Sequence, residues 1–189
     1  MKKLKLQVQI SIDGYIAGPN GEMDWMNWNK SDDVLGHIME VADSVDTILM
    51  GRKMAAVFFS YWTNVVSNPQ DPSHSLGKIM VDTPKIVFTK TLTRSGWDNT
   101  TLATGDIKEE VNKLKDQNGK DIVVYGGAGF VSSLIKEGLI DEYHLFVDPA
   151  AIGAGMPIFR ELGRIQQFSL VKCIPSESGT VVLVYKPKN

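Results

Sequence analysis

Residues 123–131, VVYGGAGFV, carry Gly126, Gly127 and Gly129 from an apolar run to the start of a helix-like segment. At such a point the unpaired backbone N–H groups and the helix dipole favour an anion, and glycine lets a phosphate come close to the main chain. A tight turn that only needs positive φ has the same appearance. The stretch TILMGRKMAAVF sends Ile48 to Met50 into Gly51, Arg52 and Lys53. Adjacent cations at a helix start oppose the dipole, so their placement is unfavourable unless an anion sits there. A third turn, IVFTKTLTR, also basic, ends a strand-like run on Thr89, Lys90 and Arg94, again suited to a phosphate monoester, although any one such lysine also reads as a solvated charge. Turns that share one edge of a parallel sheet would surround the crevice where α/β proteins bind ligands.

A Rossmann dinucleotide site competes with this reading, because Asp148 stands about twenty residues beyond Gly129, as a ribose-binding acid would. The fingerprint is incomplete: Ser132 occupies the place of a third glycine or alanine, and too little chain follows for further βα units. The loop SIDGYIAGPNGEMDWMNW holds turn formers at Asp13-Gly14 and Pro19-Asn20-Gly21. Its Trp25 and Trp28, beside Met23 and Met26, fit either a satellite core or the wall of a site for a flat aromatic ligand. His37, His74 and His144 are too scattered to suggest a metal site. Cys173, the only cysteine, has apolar neighbours Val171 and Ile174, so it is expected to be a small buried hydrophobe.

The elements that must position these residues follow from periodicity. Alternation and β-branched residues predict strands near 4–12, 46–50, 85–89, 121–125, 142–148, 168–174 and 180–186. Between them, SDDVLGHIMEVADSV, DIKEEVNKLKDQNG and AGFVSSLIKEGLID have helical spacing, with caps expected at Ser31 and Asp106 and stops at Gly119 and Gly138. Residues 60–78, rich in Pro, Ser and Asn, are expected to form a long surface loop. The alternation predicts an α/β fold with a mostly parallel central sheet flanked by helices and closed by a C-terminal antiparallel hairpin.

The chain has 189 residues, 43% hydrophobic, enough for one core, and a single domain over 1–189 is expected. Its net charge of −2 gives no global field for nucleic acid or an anionic membrane. The alternation of Leu4, Leu6, Val8 and Ile10 interrupts the apolar run a secretory leader needs, and no run is long enough to span a bilayer. A cytoplasmic location is therefore expected.

Together, S-x-D-G-x-I-A after the first strand, the tryptophan-bearing segment, MGR, T-K-T and GGAG resemble the dihydrofolate reductase fold. They are more closely similar to the reductase domain of riboflavin biosynthesis, the RibD C-terminal family, whose G-x-G-x-P-x-F segment PAAIGAGMPIF resembles. The resemblance covers essentially the whole chain. It implies NADPH as cofactor and hydride transfer to a small heterocycle, a pyrimidine, ribosylamino or pterin-like substrate.

By the same resemblance, Gly51, Arg52, Lys53 and Met54 contact cofactor phosphates, and Thr89 and Lys90 the adenosine 2′-phosphate. Gly126, Gly127, Ala128, Gly129, Phe130 and Val131 line the pyrophosphate, and Ile16, Ala17 and Gly18 approach the nicotinamide. The basic turns favour NADPH over NADH, because the extra phosphate needs cations. Asp13 would face the substrate, with Trp25 beside it, unless Asp13 is a plain Asp-Gly turn. Asp32 and Asp33 could instead supply the substrate acid of a true dihydrofolate reductase, or serve as first-turn helix acids. A non-catalytic nucleotide-binding protein on the same scaffold is the other alternative. The zinc deaminase often attached to the riboflavin enzyme has no counterpart here, since its H-x-E and P-C-x-x-C ligands are absent. A homodimer is expected, with LFVDPAAIGAGMPIF a possible contact.

Overall fold

The computed structural model describes every residue except Asn29 and Asn189. The chain runs β1 (Leu4–Ser11), α1 (Asp32–Asp43), β2 (Val45–Gly51), α2 (Arg52–Ser67), α3 (His74–Asp82), β3 (Lys85–Phe88), β4 (Thr100–Ala103) and α4 (Ile107–Lys115). It continues through β5 (Asp121–Val124), α5 (Ala128–Lys136), β6 (Glu142–Asp148), β7 (Phe168–Pro175) and β8 (Val181–Pro187). The strands form one 8-stranded sheet in the order β4-β3-β2-β5-β1-β6-β8-β7. Strands β1 to β6 are parallel, and β8 and β7 close the sheet antiparallel, as expected.

Helices cover both faces, as a parallel sheet requires. On one face Leu4, Leu6, Val8 and Ile10 of β1 join Ile122 and Val124 of β5 and pack under Val131, Leu134 and Ile135 of α5 and Val111 of α4. On the other, Ile48 and Met50 of β2, Val87 of β3 and Val123 of β5 pack under α1, α2 and α3. A smaller cluster of Val34, Phe146, Val182 and Val184 lies on that second face farther along the sheet. The strand between the two clusters is β1.

The expected loop at 60–78 is mostly helical: α2 runs to Ser67 and α3 begins at His74. The segment SYWTNVVS has weak helix propensity, and packing forms the helix in its place. Phe58 and Val65 are buried, and α3 lies so close that a Cβ on Gly77 would stand 2.9 Å from Val65 Cγ1. Strand β4, Thr100–Ala103, was not anticipated; it is short, polar and at the sheet edge, where apolar periodicity gives little signal. Cys173 is exposed, not buried, because edge strand β7 has solvent on both sides.

Candidate functional site

The turns after β4, β3, β2, β5 and β1 follow one another along the carboxyl rim of the sheet. Gly51 is the N-cap of α2, and Arg52 and Lys53 open that helix with no acid in its first turn. Gly127, at φ 83°, is the N-cap of α5 and follows Gly126 at φ 147°, both in the left-handed region that a side chain would strain. The turns touch: a Cβ on Gly51 would lie 3.1 Å from Phe130 Cβ, and one on Gly127 3.5 Å from Met54 Cβ. Space above Gly126 and Gly129 is open, since a Cβ there meets nothing within 4 Å. Glycine backbone at a helix start with free volume above it fits a phosphate group.

Beside this glycine turn lies a cavity of about 500 Å³ lined by Arg52, Thr89, Lys90, Gly105, Asp106, Phe130 and Ser133, among others. Lys90 Nζ donates to the carbonyls of Thr104 and Gly105 at 2.9 and 3.0 Å, which fixes the ammonium at the cavity edge with one hydrogen to spare. Thr89 Oγ1 accepts from the N–H groups of Thr91 and Leu92 at 3.1 and 3.0 Å. Arg52, Lys90 and the Gly126-Gly127 turn, dispersed in sequence, are thus neighbours on one rim.

Two residues that the resemblance assigns to cofactor contact point their side chains away from the glycine turn. Val131 is fully buried in the core under α5, and Met54 turns into a second, apolar cavity. In the β1 loop, Ile16 sinks its side chain into the core, while Ile16 N and Ala17 O pair with Met156, fastening the segment Ile16 to Gly18 against PAAIGAGMPIF. Within that last segment Ile158 is fully buried.

The apolar cavity, about 280 Å³, sits over β1 between the two core clusters of the second face. Helix α2 contributes Met54, Val57, Phe58, Tyr61 and Trp62, α3 contributes Leu76 and Met80, and α1 contributes Ile38. Tyr125 and Phe146 flank the floor, and Met23, Met26 and Trp28 enter from the loop after β1. Burial raises the Tyr125 phenol well above its ordinary pKa, so it stays a neutral hydroxyl. The floor itself is polar: Gln7 and Gln9 project from β1, and their amide oxygens are buried with no hydrogen-bond partner among the described residues. Leaving such an oxygen unpaired costs about 1–3 kcal/mol.

The wall is clamped from outside. Asp148, fully buried at the end of β6, accepts from Lys30 Nζ at 2.9 Å, Thr180 Oγ1 at 2.7 Å and Asn27 N at 3.0 Å. It holds the tryptophan-bearing loop to the sheet and has no ribose-binding role. Trp28 of this loop lines the cavity; Trp25 does not, and its buried indole N–H has no partner among the described residues.

The candidate carboxylates do not reach the cavity. Asp13 accepts from Ser11 Oγ at 2.6 Å, Gly153 N at 2.7 Å and Ile152 N at 3.1 Å. The Ser11 hydrogen bond, offset in part by desolvation, and those from Gly153 and Ile152 hold it below the usual carboxylate range. It is a loop tie and an anion at neutral pH, a poor proton donor. Asp32 and Asp33 are exposed acids in the first turn of α1, stabilising the helix dipole. Among the described residues lining the apolar cavity there is neither a carboxylate nor a cation.

Two of the three dispersed histidines meet. His37 Nε2 and His144 Nδ1 are 2.9 Å apart, His144 Nε2 is 2.9 Å from Glu142 Oε1, and His37 Nδ1 is 3.2 Å from Glu40 Oε2. The His144 hydrogen bond is the main cause holding Glu142 down to about 2, and burial lowers His37. No group of three or more His, Cys, Asp or Glu side chains among the described residues is arranged to hold a metal ion. Nor, among them, is any helix long and apolar enough to cross a membrane.

Sequence reasoning missed Gln7 and Gln9. The available signal was polar residues at alternate positions of a strand that proves to be central and parallel, where both faces ordinarily read apolar.

The family model of the RibD C-terminal domain matches residues 2–182. The uncharacterized protein YyaP of Bacillus subtilis (strain 168) is 35% identical over 187 residues, covering 97% of this chain and 94% of YyaP. The crystal structure of a protein from Shewanella sp. PV-4, provisionally assigned to riboflavin biosynthesis, superposes with a TM-score of 0.76 at 24% identity, over 100% of both chains. A diaminohydroxyphosphoribosylaminopyrimidine deaminase/5-amino-6-(5-phosphoribosylamino)uracil reductase from Thermotoga maritima gives a TM-score of 0.68 at 16% identity, covering 99% of this chain and 57% of that one.

Proposed function

The chain belongs to the RibD C-terminal domain family, and we propose that it is an NADPH-dependent reductase that delivers hydride to a heterocycle, pyrimidine-like or pterin-like, held in the apolar cavity. One observation carries this reading. The first turn of α2 contributes Arg52 to the basic cavity and Met54, whose Cβ packs against Gly127, to the apolar one, so a single turn borders both cavities. Residues two apart on a helix point about 200° apart, which is how one turn serves two sites. Along the rim, β3 to β1 spans three strand spacings, roughly 14 Å, a length that suits an extended dinucleotide.

Arg52 and Lys90 would hold phosphate groups of the cofactor, with the Gly126-Gly127 turn under the pyrophosphate. When bound, NADPH supplies the hydride. The chain's own residues orient both partners and exclude water, through apolar walls and a loop pinned by Asp148. A true dihydrofolate reductase is disfavoured, because no carboxylate of the described residues lines the cavity to hold a pterin.

Titration of NADPH and NADH against tryptophan fluorescence tests the reading. Lys90→Ala is expected to weaken NADPH about tenfold, the worth of a charge-assisted hydrogen bond, and to leave NADH nearly unchanged. Equal losses would remove Lys90 from the 2′-phosphate role. Absence of NADPH binding by the wild type would overturn the proposal. Binding without oxidation, with every pyrimidine and pterin offered, would leave a non-catalytic nucleotide-binding protein.

A further inference from the structure

We propose that the ring entering the apolar cavity is an uncharged planar heterocycle whose lactam edge, an N–H beside a carbonyl, pairs with the side-chain amides of Gln7 and Gln9. This rests on the reductase reading above and names the substrate class of its site.

Gln7 and Gln9 lie on one face of β1, roughly 6.6 Å apart by the rise of a parallel strand, which matches two polar positions along the edge of a bicyclic ring. Their neighbours across the ladder to β6 are His144 and Phe146. His144 already uses both ring nitrogens, on His37 and Glu142, and Phe146 offers no polar group. The two amide oxygens therefore remain buried and unpaired on the cavity floor. Buried polar groups without partners are rare in folded proteins, and two on one strand, both facing a cavity, mark a place where a ligand completes the hydrogen bonding. A carboxamide presents an acceptor and a donor side by side, complementary to the N–H and C=O of a lactam.

The walls select the rest of the ligand. Met54, Phe58, Tyr125 and Trp28 are thioether and aromatic surfaces suited to a flat ring. No cation or carboxylate of the described residues lines the cavity, so a charge on the ring would be buried without a partner, at a large desolvation cost. A charged substituent fits only on an arm that carries it out of the cavity, so a carboxylate bonded directly to the ring is excluded.

The full-length chain saturated with NADP⁺ is titrated with lumazine, which keeps its ring N–H groups, and with 1,3-dimethyllumazine, which lacks them on the same ring. Lumazine is expected to bind at least tenfold more tightly, and orotate, a pyrimidine ring made anionic by its carboxylate, is expected not to displace it at equal concentration. In Gln7→Leu/Gln9→Leu the preference for lumazine over its dimethyl derivative disappears while NADP⁺ affinity is kept. Single Gln7→Met and Gln9→Met variants, closer in shape, are expected to lose part of the preference each and carry the same test should the double variant not fold. Equal binding of the two lumazines by the wild type, an undiminished preference in the variants, displacement by orotate, or no lumazine binding to the NADP⁺ complex overturns the proposal and leaves the reductase reading standing. Failure of the wild type to bind NADP⁺ overturns both.

Discussion

One face of β1 carries Leu4, Leu6, Val8 and Ile10 into a continuous core under α4 and α5. The other carries Lys5, Gln7 and Gln9 toward α1, α2 and α3, and there the core divides into two clusters with a cavity between them. Both faces belong to the same eight residues in the same ladder. The difference is therefore one of side chains alone. The first face realises all the burial the strand offers. The second withholds it at two positions, and the withheld contacts are what a ligand can supply. Lys5 does not share this role, because its ammonium is satisfied by Ser44 Oγ at 2.7 Å and Asp121 at 3.0 Å.

Substitutions that make the faces more alike, or less, test this contrast. The largest effect is expected from Lys30→Met on the cavity side, which strands the buried Asp148 carboxylate and should cost about 3–5 kcal/mol in denaturant unfolding while loosening the loop that bears Trp28. A smaller change would show that the clamp adds little. Leu6→Ala on the packed face should cost about 2–5 kcal/mol by opening a void in a site with no exposure, and should leave lumazine discrimination untouched. A loss of discrimination there would mean that the two faces are coupled.

Gln7→Leu does the opposite. Replacing a buried unpaired amide by an apolar side chain should raise unfolding stability by about 1 kcal/mol in the absence of ligand, and a destabilised variant would contradict the assignment of that oxygen as unpaired.

The smallest effect is expected from mild acid. Burial depresses His37, which also faces Glu40, His144 and Lys172, so the unfolded chain takes up a proton first. Stability should fall as pH drops through about 6.5, the ordinary value for histidine, toward the depressed native one, and His37→Phe should flatten that part of the profile. Glu142 acts later: its contribution is present above its unfolded value and is lost as pH falls toward about 2. Melting temperatures measured from pH 8 to pH 3 separate the two windows.

Much of this architecture was legible beforehand, and the exceptions have physical causes. Strands β1, β2, β5 and β6 announce themselves through apolar runs, and Gly126, Gly127, Arg52 and Lys90 through residue types that suit few other places. What a sequence carries poorly is stabilisation by distant partners. The second half of α2 is helical because α3 packs on it through Gly77, and His37 meets His144 across 107 positions. Asp13 looked like a chemical group because its partners, Ile152 and Gly153, are equally remote. Gln7 and Gln9 drew no functional reading, because polar residues alternating with Leu4, Leu6, Val8 and Ile10 ordinarily face solvent; the strand order, with β5 on one side and β6 on the other, turns them inward.

The position of those two glutamines on β1 also bears on how new specificities arise in such a scaffold. Many binding proteins recognise through loops, which adapt to each guest and drift readily between relatives. Here the reading groups stand on the strand hydrogen-bonded to β6 along nearly its whole length, among the last parts of the chain to open. Such a floor cannot reshape itself around a different ring, so a change of preferred guest must come by replacing the letters at positions 7 and 9 themselves.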